Sequence, residues 1–316
     1  MLANSTTLIV GAGASVPLGY PTGAELRDWI IEGRGMDEEW GSEAEADQKK
    51  LNWRFRRSLI PSIDAFLAEK ENEDLRSWGI KCIAAALLPC EASRKEKPPA
   101  WLRMVFNAIR GRKDQNHQHP VKIVTFNYDL SIEYFLFHAF LASYKLNQED
   151  ARRMFEESVQ IIHVYGQLGQ IIELGGGRDY GGEVGRDTIS LASRGLRIIG
   201  RAPEDPIFND AHKAILEAEF LGILGFGYDP TNVANLRLHE RKKYAYSTGF
   251  NMGYGMRAWM RNVRLPSITI GSSKDDVATF LHNSDFLHWA NTPGTTSRDM
   301  NEAIVEYFTQ HFRIPD

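Results

Sequence analysis

Four short apolar runs set the strongest constraint on what this chain can fold into: "TLIV" at 7–10, "VKIVTF" at 121–126, "VQIIHV" at 159–164 and "LGILGF" at 221–226. Each is rich in β-branched or aliphatic residues, nearly continuous rather than alternating, and followed by glycine or small polar residues. Strands of that kind are buried on both faces, and helical patterns lie between them. The expectation is an α/β fold of Rossmann-like type, a parallel sheet with helices on both faces. "SITIG" at 267–271 reads as a fifth strand and "LRIIG" at 196–200 as a candidate sixth. A chain of 316 residues suits one large α/β domain with insertions or two smaller domains. We read a single domain over 1–316.

The interval between the first two strands is too long for one crossover helix. Residues 24 to 110 read as mostly helical, and we take 29–110 as a helical module inserted into the sheet fold. Thr22 and Glu25 have the spacing of a capping box and start a helix through Ile31. Asp37 to Asp47 reads as an acidic, exposed connection. "SIDAFLAEK" opens on Ser62, a good N-cap, and "DLRSWGIKCIAAALL" continues the helical pattern. "LGGGRDYGGEVG" at 174–185, with six glycines in twelve residues, is a loop.

The first strand delivers Gly11-Ala12-Gly13-Ala14 into what reads as a helix start. Glycines let backbone come close to a phosphate, and the free N–H groups and positive end of a helix then face the anion. The dinucleotide fingerprint wants a third glycine where Val16 stands, and no Gly-Lys-Ser/Thr ending makes this a Walker-type loop. The alternative is a tight strand-to-helix turn with no ligand.

The stretches Gly11 to Thr22, Val124 to Asp129, Ile161 to Gly169 and Gly222 to Asn232 together resemble the sirtuin-like family. Gly11, Gly13, Ser15, Gly19, Pro21 and Thr22 form "GAGAS…G.PT". "VTFNYD", Val124 to Asp129, is similar to the family's T-x-N-x-D element at the end of a central strand. "IIHVYGQLG", Ile161 to Gly169, is similar to its H-x-x-G element. "GILGFGYDPTN", Gly222 to Asn232, resembles the glycine turn on the adenosine side. The chain departs from the deacylating members. It lacks their two zinc-binding cysteine pairs, and Thr22, Gly23 and Ala24 stand after Pro21 where they carry Asp-Phe-Arg. "SIDAFL" and the helical insertion are more similar to bacterial effectors of antiphage defence that hydrolyse NAD.

The resemblance implies NAD as substrate and no metal. It implies that Gly11, Ala12, Gly13 and Ser15 cradle the pyrophosphate, that Pro21 and Thr22 border the nicotinamide pocket, and that Gly225 and Gly227 approach the adenine ribose. Asp229 either binds a hydroxyl there or caps the helix "TNVANL". Gly271 and Ser272, at the end of the fifth strand, face the adenosine by position alone. His163 is the first catalytic candidate: at a strand end it can take a proton from water or a ribose hydroxyl near neutral pH, and otherwise it is a core histidine satisfied by a carbonyl. Asn127 offers donors and an acceptor without net charge for a water and a ribose hydroxyl, or it forms the turn after its strand. Asp129 supports the same pocket or is the N-cap of the helix "LSIEYFLFHAF".

Other features bound the partners. Cys82 and Cys90 read as buried thiols rather than a disulfide. His117 and His119, on a loop beside Pro120, lack the further ligands of a zinc site. From Leu236 to Arg264 there are seven Lys/Arg, one acidic residue and interleaved Tyr244, Tyr246, Tyr254 and Trp259. That segment reads as a solvated or subunit-facing surface, as a nucleic-acid contact, or as a cationic lip for the phosphates of NAD. With a net charge of −4 the whole molecule is not steered toward nucleic acid or membrane. No apolar run approaches the ~20 residues that span a bilayer, no secretory signal is expected, and two cysteines suit a cytoplasmic location. The resemblance further implies a homo-oligomer and control by self-assembly or by a partner such as a translocase-type ATPase. The functional expectation is an NAD glycohydrolase acting in antiphage defence by NAD depletion. A non-catalytic NAD or ADP-ribose sensor and an NAD-dependent protein deacylase are the alternatives.

Overall fold

The computed structural model describes residues 2–36, 41–110, 119–200, 202–265 and 267–311. Six strands form one sheet: β1 (Thr6–Val10), β2 (Val121–Thr125), β3 (Val159–His163), β4 (Phe220–Leu224), β5 (Ala245–Ser247) and β6 (Ile268–Ile270). The order is β3-β2-β1-β4-β5-β6, and every pairing is parallel. The apolar runs explain this. Leu8, Ile9, Val10, Ile123, Val124, Leu221, Ile223 and Leu224 are fully buried, as central strands covered on both faces must be. The steps β1→β2→β3 run one way and β3→β4→β5→β6 the other. Right-handed crossovers then place their connecting helices on opposite faces.

Among the described residues, five α-helices lie between β1 and β2: α1 (Gly23–Glu32), α2 (Gly41–Ser58), α3 (Ile63–Ala68), α4 (Glu73–Arg94) and α5 (Ala100–Arg110). α6 (Ser131–Tyr144) and α7 (Gln148–Ser158) join β2 to β3. α8 (Arg186–Ser193) and α9 (Pro206–Glu217) precede β4. α10 (Pro230–Asn235), α11 (Tyr254–Trp259), α12 (Val277–Asn283), α13 (Phe286–Asn291) and α14 (Ser297–His311) follow β4 among the described residues. Thr22 caps α1 by a full capping box with Glu25, and Gly33 in the left-handed region ends it. Ser62 caps α3 by accepting from the Ala65 N–H. The insertion is not a separate core: Phe55, Phe66, Ile83 and Trp101 belong to the same buried cluster as the strands.

Three local expectations are corrected. Residues 41–47 are the first turns of α2, not a connection, while 37–40 lie outside the described residues. Residues 196–200 are not a strand. Leu196 makes one isolated bridge to Gly166, and the side chain of buried Asn235 satisfies the Gly200 carbonyl and the Ala202 N–H, which leaves that stretch no ladder to join. The sixth strand is instead β5, in the middle of the basic and aromatic segment. Tyr246 is fully buried there, and Arg241 is buried with its guanidinium on the carbonyls of Ile215, Ala218, Glu219 and Tyr244. Part of that segment is therefore core rather than a continuous surface stripe. Tyr254 remains exposed.

Candidate active site

The strand order reverses between β1 and β4, which is where open α/β sheets leave a crevice at their carboxyl ends. The glycine turn after β1 lies at that point. It does not run directly into an α-helix, unlike the helix start expected there. The chain makes two short 3-10 turns, Ala12–Ala14 and Val16–Leu18, the second holding Pro17 and ending at Gly19 with φ 85°. α1 begins only at Gly23, so its dipole is not directly behind the turn. The missing N–H of Pro17 and the left-handed Gly19 stop an α-helix from propagating.

These glycines mesh two turns. The Gly11 N–H donates to the Leu224 carbonyl and the Gly13 N–H to the Gly225 carbonyl at 2.9 Å. A Cβ on Gly13 would lie 2.9 Å from the Gly225 oxygen, and one on Gly11 at 2.7 Å. Gly225 itself has φ 61°, and a Cβ there would come within 2.3 Å of the Ala14 nitrogen. The turns after β1 and β4 thus pack backbone on backbone. Gly227, by contrast, is exposed, with nothing within 4 Å of a notional Cβ.

Asn127, Asp129, Ser15 and His163 come together in one buried network. The Asn127 amide donates to the Gly11 carbonyl at 3.1 Å and to Ser15 Oγ at 2.9 Å. Ser15 in turn donates to Asp129 Oδ2 at 2.8 Å. Asp129 Oδ1 accepts from the Ser131 N–H, so this residue both joins the network and opens α6, for which Leu130 is the formal N-cap. Burial holds the Asp129 carboxyl above its ordinary range despite the bonds from Ser131 and Ser15. His163 is the last residue of β3. Its Nδ1 lies 2.9 Å from the Asn127 carbonyl and its Nε2 2.6 Å from Glu133 Oε1. Burial pushes the imidazole down, but Glu133, the Asn127 carbonyl and Asp129 outweigh it and leave His163 raised. Two acceptors in this network are buried without a partner, Asn127 Oδ1 and Glu133 Oε2.

Around this network the strand ends carry aromatic rings. Phe126 packs on Phe226 at 4.8 Å and on Tyr165 at 5.9 Å. The Tyr128 hydroxyl donates to Asp64, which α3 of the insertion brings over the sheet's carboxyl edge, and the Tyr165 hydroxyl donates to Asn232. Burial pushes Asp64 up to about 7, with Asp229 adding to the shift. Trp101 on α5 donates to the Ala14 carbonyl at 2.8 Å. His163 also lines two clefts beside the edge strand β3, one of about 510 Å³ and one of about 200 Å³.

The remaining expected residues have local duties. Thr22 gives both its N–H and its hydroxyl to Glu25, and Pro21 is buried beside it. Asp229 is exposed and caps α10 through the N–H groups of Thr231 and Asn232. Gly271 and Ser272 lie at the carboxyl edge beyond β6. The Gly271 carbonyl accepts from Arg257, and Ser272 Oγ accepts from the Lys274 N–H. They stand three strands from the β1 turn, apart from the Asn127–His163 network. Glu133 and Asp64 were missed in the sequence. A signal for Glu133 was present: it is a carboxylate inside the apolar helix "LSIEYFLFHAF", where a charge needs a partner.

Cys82 and Cys90 are free, buried thiols; burial pushes Cys90 up to about 11 and Cys82 higher. Among the described residues, no three His, Cys, Asp or Glu gather as a metal site. His117 lies outside them, and His119 pairs through its backbone with Leu2. No described helix is long and apolar enough to cross a membrane. No protein-family model matches the chain, and no curated protein matches it in sequence.

Proposed function

We propose that this chain is a sirtuin-like NAD glycohydrolase that cleaves NAD to nicotinamide and ADP-ribose. The observation that carries the reading is the hydrogen-bonded path that starts at the Gly11 carbonyl, beside the switch point of the sheet, and runs through Asn127 to His163 on the edge strand β3. The nicotinamide of NAD is a cationic leaving group, and its departure passes through an oxocarbenium-like state. Little covalent chemistry is then needed. The protein must hold the ribose, favour developing positive charge and deliver water. Asn127 Oδ1 is an unfilled acceptor suited to a ribose hydroxyl or a water, and the buried carboxyl groups of Asp129 and Glu133 join the same network through Ser15 and His163. His163 is the group to move the proton. The meshed turns at Gly11, Gly13 and Gly225, with exposed Gly227 beyond, are the surface on which the pyrophosphate and adenosine would lie.

As a proposal, NAD depletion suits an effector of antiphage defence in the cytoplasm, kept off until self-assembly or a partner such as a translocase-type ATPase releases it. One observation favours a second reading, a sensor that binds NAD or ADP-ribose without turnover: both ring nitrogens of His163 are already occupied. The test is nicotinamide release from NAD by the purified protein and by His163→Ala and Asn127→Ala, over a range of protein concentrations and without acyl-lysine. Each substitution is expected to lower release by about 10²-fold or more. Saturable NAD binding with no release under any condition would leave the sensor. Release that requires acyl-lysine would point to a deacylase.

A further inference from the structure

The carbonyl of Asn127 can only accept, so Nδ1 of His163 carries hydrogen, and Nε2 is the nitrogen left for chemistry. That nitrogen faces Oε1 of Glu133 at 2.6 Å, a separation at which an imidazole and a carboxylate hold one proton between them. Both side chains are less than a tenth exposed. The second oxygen of Glu133 is buried without a partner, and both residues line the cleft of about 200 Å³ against α6, with Gln167 and Gln170 on its wall. A leucine or methionine would pack in the apolar helix without the desolvation that a buried carboxylate incurs.

We propose that Glu133 is the positioning residue of His163, fixing its ring and making the two side chains one acid–base unit with a single shared proton and an open acceptor, Glu133 Oε2. This rests on the placement of His163 in the proposed active site. With the shared proton present the pair is neutral overall and Nε2 has no lone pair to offer. It can donate that proton but cannot take another on the ring. With the proton lost, the pair carries one negative charge and Nε2 becomes a base. The pH dependence of the site is then that of the pair. The titratable groups facing His163 are Glu133 from α6 and Asp129 from the turn before it, both of which favour the protonated ring, and, across the larger cleft, Arg197 and, from α9, Asp210.

The experiment is a ¹⁵N NMR titration of the His163 ring in the full chain and in Glu133→Gln, run beside the pH profile of nicotinamide release. In the unsubstituted protein both ring nitrogens are expected to be protonated at pH about 7, a readout that needs no variant to fold. In Glu133→Gln the midpoint is expected to fall by about one pH unit or more, a tenfold loss of proton affinity, with the same displacement in the profile of release. A neutral ring with an ordinary midpoint in the unsubstituted protein, or a midpoint unmoved in Glu133→Gln, would overturn the proposal. A displaced titration in a protein that never releases nicotinamide would keep the pair and remove the glycohydrolase reading. Release with an unmoved titration would do the reverse.

Discussion

Carboxyl groups held away from water are the unusual residues here, and half-buried Asp64 shows what their titration does to stability. Asp64 is raised from 3.8 to about 7, chiefly by burial. A carboxyl raised in the native state binds its proton more tightly there than in the unfolded chain. Between pH about 4 and about 7 the native state therefore holds more protons, and this contribution to stability is lost as pH rises through that window. Asp64→Asn removes the titration. Urea unfolding should show the unsubstituted protein losing stability relative to Asp64→Asn from pH about 4 to 7; a difference that is flat with pH would count against it. His163 and Asn127 were legible in the sequence because each follows an apolar run that had to be a strand, so their placement at the sheet's carboxyl edge followed. Glu133 carries a local signal as a charge inside an apolar helix, but its partner and that of Asp64 are not legible, because His163 and Tyr128 are 30 and 64 residues away. Such pairings are set by how helices dock on the sheet.

At the scale of elements, a buried ion pair ties the insertion to the glycine-rich loop. Arg178 of that loop meets Glu91 of α4 through two bonds of 2.5 and 2.8 Å, and Glu91 also accepts from the Gly181 N–H. The Arg178 Nε donates to the Leu168 carbonyl just after the His163 element. Glu91→Ala leaves a buried guanidinium without its partner, which costs about 3–5 kcal/mol. The denaturant midpoint should fall accordingly, and residues 174–185 should become open to limited proteolysis; an unchanged midpoint would refute the role. The caps at Thr22 and Ser62 were readable because capping needs only neighbours three residues apart. β5 was not. Three residues in a basic stretch carry no strand period, and they pair only because β4 and β6 flank them.

For the whole molecule, the proposed binding of NAD over the meshed turns at the carboxyl ends of β1 and β4 should stabilise the native state by about 2.7 kcal/mol at a hundredfold excess over Kd. Thermal unfolding of Asn127→Ala and His163→Ala with NAD, which they are expected to consume slowly, reads this directly; midpoints that ignore NAD would tell against the crevice as its site. The insertion bears on the same region, since Trp101 fixes the Ala14 carbonyl and α3 sets Asp64 over the strand ends. By itself the sequence determined a parallel α/β sheet, its five longer apolar runs as strands and the helical filling between them, because burial on both faces and helical period are local properties of composition. Only the tertiary structure decided the strand order, the meshing of Gly11 and Gly13 with Gly225, and the partners of His163. Those depend on which backbone and which carboxylate arrive within a few ångströms once the layers pack, and no local pattern encodes that.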